Sequence, residues 1–200
     1  NCAGKHLAML TSCIVNNFPI KNYVDFDHPH QKNIRKVFSK FTEHIISKKH
    51  YGIDGCSAPQ YAFTIKNLGK ALSNLLNSYN GNFEYSENIQ TMINAILDNP
   101  TFIGGSKNLD SNLIKISNRN IFCKGGAEGV FLFVHLKKEI FGILKVKDGN
   151  ERALSSAMNT LLKKFKILDK EELNQFNSWN TSSIYNHANI KIGSISTKIE

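Results

Sequence analysis

"NIFCKGGAEGVFLFVHLKKEIFGILKVKDG", residues 120–149, decides the fold class. Ile121–Cys123 is a short apolar run, and the three glycines of "KGGAEG" (124–129) cut it off. A second apolar run, Val130–Leu136, is broken by Lys137–Glu139 before a third begins at Ile140. Runs of this length separated by turn residues predict a strand, a glycine turn and two more strands joined near Lys137–Glu139. Working outward from this stretch, the apolar spacing changes to that of helices. Leu7–Asn16 is apolar enough for a buried helix ended by Phe18 and Pro19, and Ile34, Val37, Phe38, Phe41 and Ile45 mark a second. Ile65, Leu68, Leu72, Leu75 and Leu76 form one stripe of a third helix, expected from about Gln60 to Tyr79. Ser86 is placed to cap a fourth, which buries Ile89, Met92, Ile93, Ile96 and Leu97 and stops at Asn99-Pro100. Downstream, Glu151–Phe165 returns to helical spacing through Leu154, Ala157, Met158, Leu161 and Phe165, and "NIKIGSIS" (189–196) alternates like a last strand. Helices first, then a meander with a helix against it, predict an α+β fold: an antiparallel sheet flanked by helices. With no repeat or low-complexity linker, residues 1–200 read as a single domain.

Composition narrows the function classes. At 41% hydrophobic and 20% charged, the 200 residues support a real core. The formal charge of +9 comes from scattered lysines rather than one stripe, and no aromatic platform accompanies them, so nucleic acid is not an expected partner. The longest apolar runs, such as "GVFLFVHL", fall far short of the roughly 20 residues that cross a bilayer, so no membrane association is expected. Cys2, Cys13, Cys56 and Cys123 lack the spacing of a small disulfide scaffold, which favours reduced thiols and a cytoplasmic location.

Four stretches carry chemistry. In "NCAGKH" (1–6), Cys2 and Lys5 lie three residues apart at a helix start, on one side of its first turn. The positive end of a helix favours thiolate. "GIDGCSAP" (52–59) uses two glycines and a proline to fix a turn around Asp54 and Cys56, presenting both side chains; a structural Asp turn with a core Cys is the plainer alternative. "KGGAEG" offers backbone N–H groups to a carboxylate or an oxyanion, with Lys124 as a nearby charge, although hairpins use the same residues. It is not a nucleotide-binding P-loop, which needs Ser or Thr after the Lys. In "DHPHQKNI" (27–34), His28 and His30 have no further ligands nearby in sequence, which favours a structural role.

Taken in order, "NCAGKH", "HPHQ", "GIDGCSAP", "NPTFIGG", "KGGAEG" and "LKVKDGNERA" resemble the type II L-asparaginases of the Rhizobium class, also called thermolabile asparaginases, with the match thinning after about Lys166. The resemblance implies an amidohydrolase that converts L-asparagine to L-aspartate and ammonia, a fold similar to serine β-lactamases and penicillin-binding proteins, and a homodimer. It implies a zinc site made of Cys2, Lys5 and Cys56, catalytic roles for Asp54 and Lys124, and substrate contacts from His6, Gly125, Ala127 and Glu128. Two thiolates suit zinc, whereas a lysine ligand must first lose its proton.

The family's nucleophile is a serine in a Ser/Lys arrangement upstream of the motif that "NCAGKH" matches. No Ser precedes a Lys by three in these 200 residues, and Thr160 with Lys163 lies in an ordinary amphipathic helix. The expectation is therefore the C-terminal two-thirds of an asparaginase-like domain, inactive alone. A self-processed enzyme would need Asn1 removed to expose Cys2. The alternative of a different class is a non-catalytic zinc- or amino-acid-binding module that keeps the Cys/Lys/Cys pocket.

Overall fold

The computed structural model describes residues 2–179 and 183–200. Its backbone gathers into two compact units, residues 1–75 and 76–200, each built from helices and small antiparallel sheets. The α+β class is as the alternation of patterns predicts.

In the first unit, α1 (Cys2–Val15) buries Met9 and Cys13. Helix α2 (Pro29–Thr42) shows why "HPHQ" is structural: His28 is its N-cap, its Nδ1 accepting the His30 N–H at 3.2 Å. His28 Nε2 donates to the Pro19 carbonyl at 2.9 Å, and Pro29 takes the first helical position, where a missing N–H costs nothing. Glu43, in the left-handed conformation, closes the helix. Next comes a hairpin of β1 (Tyr51–Ile53) and β2 (Pro59–Tyr61), with Tyr51 opposite Tyr61 and Ile53 opposite Pro59. Helix α3 (Ile65–Tyr79) consequently starts at the first residue of its stripe, five residues later than the expected start near Gln60, because residues 59–61 are spent on pairing.

In the second unit, α4 (Ser86–Asp98) ends where Asn99-Pro100 predicts, but its cap position is Tyr85, at φ 61°. Ser86 instead donates its hydroxyl to the Phe83 carbonyl at 2.5 Å. The short α5 (Thr101–Gly104) and α6 (Leu109–Ile116) lead into the meander β3 (Ile121–Gly126), β4 (Val130–His135) and β5 (Ile140–Lys145), in the order β3-β4-β5. Phe122 faces Val134 across the first ladder and Phe133 faces Gly142 across the second. Gly129 turns the first connection at φ 64°, where an added Cβ would stand 2.7 Å from Val146 Cβ. Helices α7 (Leu154–Lys164) and α8 (Lys170–Trp179) pack on each other, and α6 packs on β3. A hairpin of β6 (Ser183–Tyr185) and β7 (Lys191–Ser194) completes the chain. Phe131, Leu113, Ile114, Met158, Leu162 and Phe176 are among the fully buried side chains of this unit. Among the described residues, no helix is long and apolar enough to cross a membrane.

His135, buried at the end of β4, gives this unit a pH dependence. Burial disfavours the charged ring and Lys138 and Lys137 repel it, so its pKa lies below the ordinary value. Nδ1 accepts the Lys138 N–H at 3.2 Å, as a neutral ring can. On acidification the unfolded chain takes up this proton first, at about pH 6.5, so stability falls as pH drops through that point toward the folded value. The urea midpoint should fall between about pH 7.5 and about pH 5.5, and by less in His135→Gln. An equal fall in both would remove His135 as its source.

Candidate functional site

The Asp54 turn is the most heavily bonded feature of the first unit. Its carboxylate accepts the N–H groups of Cys56 at 2.8 Å and Ala58 at 3.0 Å on Oδ1. Oδ2 takes the Gln60 amide at 2.9 Å and the Lys5 ammonium, in an ion pair. Lys5, then the backbone donors and Gln60, hold this carboxyl well below the usual carboxylate range. A carboxylate has about four lone-pair positions, so these four donors saturate Asp54.

Helix α1 delivers Cys2, Lys5 and His6 to this turn from one side of its first turns. His6 Nε2 donates to the Cys56 carbonyl at 2.7 Å, which leaves Nδ1 to accept the Tyr23 hydroxyl at 2.5 Å. Cys2 and Cys56, 54 positions apart, are joined in a disulfide with their Cα atoms 5.5 Å apart. The expectation of four reduced thiols therefore holds for the buried Cys13 and Cys123 but not for Cys2 and Cys56, because the turn and the helix start bring those two sulfurs within bonding distance. Thiol titration in denaturant without reductant should count two thiols, and four after reduction. Four at the outset would contradict the bond.

In the second unit, Lys124 stands on β3 opposite Leu132, its ammonium donating to the Gly125 carbonyl at 2.6 Å and pairing with Asp110 Oδ2 at 3.4 Å. The Lys124 side chain is 44% exposed and that of Asp110 only 5%. Gly125 also donates its N–H to Asp110 Oδ2, at 3.3 Å. Ala127 and Glu128 occupy the exposed tip beyond Gly126. There Glu128 adopts φ 61° and directs its carboxylate at Gly149, where an added Cβ would lie 2.5 Å from Oε2.

Thus the five residues Cys2, Lys5, His6, Asp54 and Cys56 meet in one cluster, and Lys124 and Gly125 share a second with Asp110. Across all of this, the sequence model described as L-asparaginase II matches residues 1–197. The chain belongs to the L-asparaginase II family. No curated protein matches it. Three residues of this asparaginase-family chain escaped the sequence reading: Tyr23, Gln60 and Asp110. Tyr23 sits in a stretch without glycine or ligand spacing and Asp110 lies five residues beyond the Gly104-Gly105 pair, whereas Gln60 could have been found as the first polar side chain beyond the Asp54 turn. Among the described residues, no group of three or more His, Cys, Asp and Glu is placed to hold a metal.

Proposed function

We propose that the protein containing this chain hydrolyses the side-chain amide of L-asparagine to L-aspartate and ammonia. The observation that carries this reading is the convergence of Cys2, Lys5, His6, Asp54 and Cys56, residues of two separate family motifs, in a chain matched over residues 1–197. We assign Asp54 the role of fixing the Lys5 side chain in place, with His6 bracing the Cys56 carbonyl. Lys124 supplies positive charge or a proton relay during attack on the amide, and Gly125, Ala127 and Glu128 contribute substrate contacts. Because no Ser precedes a Lys by three in these 200 residues, the nucleophilic serine is contributed from outside them. The serine β-lactamase-like architecture and the homodimer belong to the same proposal, as does a cytoplasmic location, where reducing conditions would open the Cys2–Cys56 bond.

The test is ammonia release from L-asparagine by the complete protein, with L-glutamine in parallel. Folded protein that binds asparagine without releasing ammonia would instead support the amino-acid-binding module.

Zinc is part of the proposal for the reduced state. The donor set fits it: the disulfide already joins the two sulfurs, and Lys5 follows Cys2 by one helical turn. Cys2, Cys56 and, once it has shed its proton, Lys5 would hold the ion, which would polarise or orient a bound substrate group. Protein purified under reductant with zinc should carry about one ion per chain by elemental analysis, and Cys56→Ser should carry none. Equal zinc in both would remove these ligands.

A further inference from the structure

Asp110 has no part in the reading above, yet its surroundings are built around its carboxylate. It lies in the first turn of α6, where any acidic side chain is favoured by the helix end. That interaction is available to an exposed aspartate; this one is buried, with a side chain only 5% exposed. Taking an ionised carboxylate out of water is costly unless each oxygen is matched. Here Oδ1 accepts the Ser111 N–H at 2.9 Å, and Oδ2 accepts the Gly125 N–H at 3.3 Å and faces the Lys124 ammonium at 3.4 Å.

The carboxylate is also walled in. A Cβ added at Gly104 would stand 2.1 Å from Oδ1 and 2.9 Å from Cγ, so the end of α5 closes over the group only because residue 104 has no side chain. A Cβ at Gly125 would stand 3.7 Å from Oδ2, so β3 closes on it from another direction. Backbone thus stands close to the carboxylate on two sides. Lys124, by contrast, is half-exposed on a long flexible stem; its ammonium donates to the Gly125 carbonyl at 2.6 Å, and the buried Asp110 carboxylate adds the charged anchor.

We propose that Asp110 is a positioning residue that fixes the Lys124 ammonium for amide hydrolysis, with Gly104 and the Gly125 N–H holding the Asp110 carboxylate in register. The inference rests on the reading of Lys124 as a reaction group. Asp110 touches no substrate in it, and its effect passes through Lys124.

A double-mutant cycle on the complete protein, read as ammonia release, tests this. Asp110→Asn keeps the shape and removes the charge, and should lower kcat about 10- to 100-fold with KM for asparagine near the wild-type value. Lys124→Met should lower kcat about 100- to 1,000-fold. The combined variant should match Lys124→Met alone, since there is no ammonium left to position. Wild-type kcat in Asp110→Asn, or a combined loss equal to the product of the two single losses, would overturn the inference. Full activity in Lys124→Met would end it together with the role assigned to Lys124, while leaving asparagine hydrolysis standing. An inactive wild type would end the functional reading first. Should Asp110→Asn fail to fold, Gly104→Ala takes its place in the cycle, because its methyl would displace the carboxylate while keeping its charge.

Discussion

Asp54→Ala is expected to abolish ammonia release, with a loss of about 100- to 1,000-fold or more in kcat/KM. The size of the effect follows from how much one side chain holds. Removing the carboxylate frees the N–H groups of Cys56 and Ala58 and leaves Lys5 and Gln60 without their shared acceptor. The turn of residues 54–58 is then fastened by its backbone bonds, Ser57 N–H to Asp54 O at 2.9 Å and Asp54 N–H to Ala58 O at 3.0 Å. With Ser57 at φ 65°, that turn depends on its side-chain bonds more than an unstrained one would. Asp54→Asn separates the two functions, since an amide oxygen can still accept from the backbone while the charge opposite Lys5 is gone. It should lose less than the alanine variant, and a Lys5→Met/Asp54→Asn double variant should lose no more than Lys5→Met alone. Amide exchange over residues 54–58 reports the turn directly: it should accelerate in Asp54→Ala and stay near wild type in Asp54→Asn. An alanine variant within twofold of wild-type activity would remove Asp54 from the site.

How far the sequence could be read depended on how locally each feature is encoded. The meander over residues 121–145 was legible because three apolar runs are separated by residues with few alternatives, glycines 125, 126 and 129 on one side and Lys137–Glu139 on the other. The long helices α2, α4 and α7 repeat their apolar stripes over at least three turns, enough to be seen. By contrast, β1 and β2 are three residues each, too short for alternation to register, and their pairing is set by the Asp54 turn between them. Helix α6 has eight residues and so barely two turns of pattern. In the site, Cys2 with Lys5 and Asp54 with Cys56 were visible as neighbours in sequence. Their union across 54 positions is a tertiary fact, as is the partnership of Asp110 with Lys124. Disulfide pairing likewise has no local signature, so the bond between Cys2 and Cys56 had to be seen in space.

The largest loss of stability is expected from Phe131→Ala, at about 3–5 kcal/mol. Phe131 is 1% exposed on the central strand β4, with Gly125 opposite it on β3 and Leu144 on β5. A Cβ added at Gly125 would lie 3.7 Å from its ring, so the aromatic ring covers backbone that has no side chain of its own. Truncation therefore leaves a void that neither neighbouring strand can fill, because both are held in register by ladder hydrogen bonds and Gly125 has nothing to move inward. Phe102→Ala supplies the control: that ring is 89% exposed, and its removal should change stability by less than about 0.5 kcal/mol. Urea denaturation of both variants beside wild type makes the comparison. The β3 segment that Phe131 covers also carries Lys124 and the Gly125 N–H, so activity at temperatures where Phe131→Ala is still folded should fall through loss of the Lys124–Asp110 geometry. Phe131→Leu, which refills most of the volume, should recover both properties together; recovery of stability without activity would mean that the ring itself, and not the packing of β4 beside β3, sets the position of Lys124.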